Sequence, residues 1–176
     1  MSDHPELLKQ MALEVIDGIP LDAAKIYTDG SKGETNTTGS GVLIELPGRV
    51  IKFQRRNAYH ASVFRTELKA IMCGLSFINN IRDLAVSEIW ILTDSRSSIQ
   101  HLSNWPSIGD STSRSILHLF QQLSDRYPIH LQWVPSHVGL LGNEVADDLA
   151  KAATSNPVDP ENHMVLTSTE IYSRAK

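Results

Sequence analysis

The feature that most restricts the fold is Glu88-Ile89-Trp90-Ile91-Leu92-Thr93, an apolar run with almost no polar break. A strand with one face in water alternates polar and apolar residues. A strand without that alternation is covered on both faces, as happens where helices cross over a sheet of parallel strands. The run ends in Asp94-Ser95, and a helical pattern follows at once through Ile99, Leu102 and Trp105 to a stop at Pro106. A second helix is expected over residues 111–126, with Ile116, Leu119, Phe120 and Leu123 inward, and a last strand over 129–134.

Upstream, Asp3 can cap a helix and Glu6, three residues later, can answer it. Leu8, Met11, Ala12 and Val15 then recur at helical spacing up to Gly18-Ile19-Pro20. Residues 24–28 read as a strand running into Asp29-Gly30-Ser31-Lys32-Gly33. Residues 41–45 and 49–54, on either side of Pro47-Gly48, read as a hairpin. Val63, Leu68, Ile71, Leu75 and Ile78 mark a long, mostly buried helix over 62–79. The order of strand, strand, strand, helix, strand, helix, helix, strand, helix predicts an α/β domain. The strands beginning at Ala24 and Glu88 would be parallel neighbours, so Asp29 and Asp94 should emerge at one edge.

Length and composition are permissive. A chain of 176 residues suits one domain with extensions, and its single cysteine, Cys73, falls in an apolar helical pattern that suits a buried structural thiol. There is no apolar run of membrane-spanning length, and the first residues lack a basic start followed by an apolar block. The expectation is a soluble, monomeric, intracellular protein, cytoplasmic or nuclear, with no membrane partner. The formal net charge of -4 disfavours nucleic-acid binding by bulk electrostatics. Two divalent cations held by four carboxylates would bring that total to about 0.

Four carboxylates stand at informative places. Asp29 and Asp94 follow strands, where open sheets place ligand chemistry, although Asp29 alone reads equally as a turn aspartate. Glu67 is embedded in the buried helix, where a paired or ligating carboxylate is expected over a solvated one. The stretch from Trp133 to Lys151 reads as a strand end, a loop turned by Pro135, Gly139 and Gly142 that carries His137, and a helix opening near Asn143. Within that helix Val145, Leu149 and Ala152 make the expected buried stripe, and only one of Asp147 and Asp148 can face the loop. By itself this is also an ordinary capped surface helix. Taken together, the acids form an oxygen-rich donor set that suits Mg²⁺ or Mn²⁺ over zinc.

The motifs Tyr27-Thr28-Asp29-Gly30-Ser31, Phe64-Arg65-Thr66-Glu67-Leu68, Leu92-Thr93-Asp94-Ser95 and Ser136-His137-Val138-Gly139 through Gly142-Asn143-Glu144-Val145-Ala146-Asp147 resemble the ribonuclease H family in order and spacing. The wording of the last motif and of residues 63–67 looks most like the ribonuclease H domains of non-LTR retrotransposon polyproteins. The resemblance implies a five-stranded mixed sheet of order 3-2-1-4-5 flanked by helices. It also implies a domain over 23–154, with a helical extension at 1–22 and a linker or tail at 155–176 that could hold a short helix from Ser168.

By that resemblance the chain is an endoribonuclease that cuts the RNA strand of RNA/DNA hybrids, leaving 5′-phosphate and 3′-hydroxyl ends. Asp29, Glu67, Asp94 and Asp147 would hold two Mg²⁺ ions, with Mn²⁺ able to substitute and Asp29 bridging the pair. Asp147 would serve the ion that activates water, and Glu67 and Asp94 the ion at the leaving 3′ oxygen. His137 would assist proton movement or product release. Gly30, Ser31, Asn36, Thr38, Arg65, Ser95, Trp105 and Asn143 are the implied or expected hybrid contacts.

Two departures bear on affinity. Val63 and Phe64 stand where many cellular relatives carry asparagines, and residues 106–115 hold only Arg114 as a base where many insert a basic helix. Weak, salt-sensitive hybrid binding is expected, with a reverse transcriptase in a parent polyprotein as a source of further affinity. A proofreading-type exonuclease would carry a second acid near Asp29, where Ser31 stands. A non-catalytic binding or assembly module would mark itself by losing one of the four carboxylates, and all four are present.

Overall fold

In the computed structural model the described residues are 4–34, 36–57, 62–104, 111–155 and, for their backbone, 163–168. Helix α1 (Pro5–Asp17) leads into strands β1 (Ala24–Lys32), β2 (Thr38–Leu46) and β3 (Arg49–Asn57). Then come α2 (Val63–Asn79), β4 (Ile89–Thr93), α3 (Arg96–Ser103), α4 (Ser111–Ser124), β5 (Ile129–Trp133), α5 (Leu141–Ala153) and β6 (His163–Ser168). Trp105, the Asp3 cap and the helix expected beyond Ser168 lie outside the described residues. The α1 cap is His4, whose Nδ1 accepts the Glu6 backbone N–H at 3.1 Å.

The five strands expected from the sequence form one mixed sheet in the order 3-2-1-4-5, and β6 extends it beyond β3. Thus part of the stretch read as a tail pairs antiparallel with β3, from Val50 opposite Ser168 to Arg55 opposite His163. β1, β2 and β3 are antiparallel neighbours, whereas β1–β4 and β4–β5 are parallel.

Strand alternation divides the apolar residues between two faces. Ile26, Val42, Ile44, Ile89 and Ile91 join Leu68, Ile71, Leu75 and Ile78 of α2 and Ile116 and Leu123 of α4 in one core. Tyr27, Leu43 and Leu92 join Ala12 of α1, Val134, Leu140 and Ala146 of α5 in the other. This two-sided burial accounts for the unbroken apolar run of β4. Burial on one face orders the sheet against α2 and α4, and on the other it fixes where α5 must lie.

The buried face of α5 differs from the expected stripe. Gly142, Asn143, Ala146, Ala150 and Ala153 are buried, while Val145 and Leu149 are half-buried and Ala152 is exposed. The cause lies in β2, where a side chain on Gly41 would collide with the Ala146 carbonyl and the Ala150 N–H. Backbones this close leave room between them only for small residues, so the larger ones move to the flanks. Gly142 likewise belongs to the helix, against the Tyr27 ring, and the loop ends before it.

Candidate active site

β1 and β4 pair in parallel from Ala24 opposite Ile89 to Thr28 opposite Thr93, so Asp29 and Asp94 are the next residues on adjacent chains. Asp29 is inside β1 and not at its end, because β1 continues to Lys32 against β2 alone. Glu67 arrives from α2 on the other side of the sheet. It can do so because Gly30 has no side chain: a β-carbon there would lie 2.8 Å from the Glu67 backbone nitrogen and 2.9 Å from Thr66 Cγ2. One carboxylate oxygen from each of Asp29, Glu67 and Asp94 falls within 4.8 Å of the others.

The cluster is largely removed from water, with Asp29 5% and Glu67 8% exposed. Burial, followed by the charge of Asp94 and a hydrogen bond with Asp147, pushes Asp29 up to about 8. Burial and then the charge of Asp29 push Glu67 up to about 10. The Gly30 backbone N–H donates toward both carboxylates and opposes these shifts. Asp94 is raised by burial, against the pull of an Asn143 hydrogen bond and of His137. Glu67 Oε1 is buried without a hydrogen-bond partner. Crowding and burial favour the protonated forms of Asp29 and Glu67 and push Asp94 the same way, and a bound cation would replace those protons.

Asp147 stands apart from that trio. Burial raises it, but the hydrogen bond from Asp29 and the Lys151 ammonium, 2.9 Å away, outweigh burial and hold it below the usual carboxylate range. In the Asp29–Asp147 pair the proton therefore resides on Asp29 and Asp147 accepts. Asp148 is exposed, as its place on the helix requires. His137 is exposed in the loop before α5, with φ 58, and its charge acts on both Asp94 and Asp147.

The expected hybrid contacts divide. Asn36 and Arg65 are exposed, and Gly30, Ser31 and Ser95 are half-buried at the carboxylate edge. Ser95 caps α3, accepting the Ser98 backbone N–H at 3.2 Å. Thr38 is fully buried, since β2 begins there and not at Gly41, so it has no surface to offer a substrate. Asn143 is also buried, at 3% exposure, and its side chain donates to Asp94. It orients a carboxylate and does not face outward.

Two residues escaped the sequence reading. Lys151 sits four residues after Asp147, the spacing at which helical ion pairs form. Arg96, two residues after Asp94, stacks its guanidinium 4.0 Å over the Trp133 ring. Its position next to the Asp-Ser pair was the only available signal. An apolar groove of about 490 Å³ between Leu102, Phe120, Tyr127 and Ile129 shares no residue with this site.

Comparison with known proteins agrees with this architecture. The family model described as RNase H matches residues 22–155. The ribonuclease H of Photorhabdus laumondii subsp. laumondii is 33% identical over 149 residues, covering 78% of this chain and 92% of that protein. The ribonuclease H of Dichelobacter nodosus is 32% identical over 148 residues, covering 77% and 94%. Among solved structures, LC9-RNase H1, described as a type 1 RNase H with the type 2 active-site motif, superposes with a TM-score of 0.61 at 20% identity, covering 83% of this chain and 78% of that one. RNase H1 from the halophilic archaeon Halobacterium salinarum gives 0.56 at 18% identity, covering 74% and 96%. With the family's fold, a match over most of its length and an acidic cluster where the β1–β4 pairing stops, this chain belongs to the RNase H family of ribonucleases.

Proposed function

We propose that the chain is an endoribonuclease that hydrolyses the RNA strand of RNA/DNA hybrids, using divalent cations held by Asp29, Glu67, Asp94 and Asp147. The observation that carries this reading is the meeting of the Asp29, Glu67 and Asp94 carboxylates within 4.8 Å at a largely buried edge. The unpartnered Glu67 Oε1 and the all-oxygen donor set fit Mg²⁺, with Mn²⁺ as a substitute. Two such ions, when bound, polarise the phosphodiester and lower the pKa of an attacking water.

The chain's own residues supply the rest. Asp29, central to the hydrogen bonds and charges of the site, is the residue suited to be shared by both ions. Asp147 can join the donor set by exchanging its ion pair with Lys151. His137, exposed beside Asp94 and Asp147, is placed to take or give a proton as the product leaves. Attack on the phosphorus then leaves a 5′-phosphate and a 3′-hydroxyl.

Choosing RNA over DNA requires contact with 2′-hydroxyls in the shallow minor groove. Glu67 and the Gly30-Ser31 backbone lie at that edge, and Asn36, Arg65 and Arg96 are exposed for the sugar-phosphate chains. With a net charge of -4, hybrid affinity should be low and strongly salt-dependent. We take residues 23–154 as the catalytic domain, 1–22 as a helical extension and 155–176 as a C-terminal segment whose residues 163–168 add β6 to the domain's sheet. The wording of residues 63–67 and of the His137 motif supports a retroelement origin, with an adjoining reverse transcriptase as partner.

The test is cleavage of a labelled RNA strand presented as RNA/DNA hybrid, RNA duplex and single strand, in Mg²⁺ or EDTA, by the wild type and Asp94→Asn. Internal cuts confined to the hybrid, dependent on metal and lost by roughly 10³-fold in the variant, are expected. Absence of hybrid cleavage by folded protein at low salt, with Mn²⁺ included, would leave a non-catalytic binding module.

A further inference from the structure

Helix α1 lies outside the stretch that matches the RNase H family, yet it touches the segment that carries His137. Ala12 and Ile19 belong to the same buried cluster as Val134 and Leu140, and Ile16 and Val138 pack against that cluster. Val134, Val138 and Leu140 bracket His137 in the chain. Lys9 reaches the loop itself: a β-carbon on Gly139 would stand 3.1 Å from Lys9 Nζ and 3.6 Å from its Cε. Positions 9, 12 and 16 follow one face of α1 at spacings of three and four, so the side that carries Lys9 toward Gly139 also carries Ala12 and Ile16 into the cluster shared with Val134, Val138 and Leu140.

The loop has reason to need such support. Its ends are tied, by the Val134 N–H to the Thr93 carbonyl at 2.9 Å and the Glu144 N–H to the Leu140 carbonyl at 2.9 Å. Between them, residues 135–139 make no backbone-to-backbone hydrogen bond to other described residues. Two of these residues are left-handed, His137 at φ 58 and Gly139 at φ 86. A side-chain-bearing residue keeps that conformation only where its surroundings over-determine it. The neighbours available to do this are the apolar contacts from beneath and α1 from the side.

We propose that α1 is a positioning element for the active-site loop, in which Lys9 and Ile16 hold residues 135–139 in the conformation that presents His137 to Asp94 and Asp147. The role given to His137 rests on the proposed hybrid nuclease activity, whereas the holding of the loop does not. Lys9 acts by filling the space beside Gly139, so the length of its stem matters more than its charge.

The experiment uses the full chain and two readouts. Amide hydrogen exchange of the peptides spanning 130–146 is followed in the wild type, Lys9→Ala, Ile16→Ala and Lys9→Met, with peptides from β1 and β4 as internal controls. Exchange of the bonded Val134 and Glu144 amides, which tie the two ends of the loop, should quicken about fivefold in the two alanine variants, with the strand peptides unchanged and Lys9→Met close to wild type. Hybrid cleavage is then measured for the alanine variants with His137 present and in a His137→Ala background. With His137 present, kcat should fall about fivefold at constant KM, and in the His137→Ala background the same changes should cost nothing more. Unchanged loop exchange in Lys9→Ala and Ile16→Ala, or equal losses of kcat in both backgrounds, would overturn the positioning role. A wild type that cuts no hybrid overturns the nuclease reading instead, and the exchange data still decide whether α1 holds the loop.

Discussion

The Asp147 carboxylate lies 2.9 Å from the Lys151 ammonium, one turn along α5, while also accepting a hydrogen bond from Asp29. Lys151 therefore occupies an oxygen that a cation would need. Since Lys151 is exposed and Asp147 only half-buried, the competition is modest. Lys151→Met should lower the Mg²⁺ concentration for half-maximal cleavage by about twofold to threefold, with little change in Tm. An unchanged or raised midpoint in a metal titration would count against Asp147 as a ligand.

Metal-free protein should lose stability as pH rises. Asp29 and Glu67 move from ordinary values of 3.8 and 4.5 to about 8 and about 10 in the folded chain. Between these limits the native state binds protons that the unfolded chain has released, so their contribution is complete below about pH 4 and lost as pH climbs through about 8 and 10. In EDTA, Tm should be higher near pH 5 than near pH 9, and added Mg²⁺ should raise it more at the alkaline end. Differential scanning fluorimetry across that range decides it; a Tm in EDTA that rises toward pH 9 would contradict the burial argument.

Asn143→Ala removes the buried donor to Asp94. The loss of one hydrogen bond to a buried charged group should cost about 1–3 kcal/mol by urea denaturation and reduce kcat more than it raises KM. A variant whose KM for hybrid rises while kcat holds would return Asn143 to the substrate surface.

Gly30→Ala places a methyl group 2.8 Å from the Glu67 backbone nitrogen, so the start of α2 must shift. Overpacking of this kind costs about 1–3 kcal/mol. A displaced Glu67 should also reduce cleavage by at least about 10²-fold, since misplacement near 1 Å suffices for that. Gly48→Ala is the control: at φ +75 it is strained, but its β-carbon would meet nothing within 4 Å, so activity should persist.

Much of the sheet was legible because burial on two faces and burial on one leave different periodicities in the chain. The unbroken β4 run, the Pro47-Gly48 hairpin and the helical spacing of α2 each carried their own signal, and the parallel pairing of the Ala24 and Glu88 strands followed from their order. Strand ends were less legible. Asp29 looked terminal because Gly30, Ser31 and Lys32 are polar, yet pairing with β2 carries the strand through them. β6 carries only the short apolar run Met164-Val165-Leu166 in an otherwise polar stretch, and so short a run does not name the strand with which its backbone pairs.

What the sequence determined by itself was which carboxylates exist and which elements deliver them, because strand and helix periodicity are local properties. Only the tertiary structure decided which polar groups face the solvent. Thr38 and Asn143 are polar residues near the motifs, and they are buried because β2 starts early and α5 lies close over Gly41. That approach also moved the buried stripe of α5 from Val145 and Leu149 to Ala146 and Ala150. The same close packing settles Asp147 between Asp29 and Lys151. Contacts between elements distant in sequence depend on how nearly two backbones can come together, and no single segment encodes that distance.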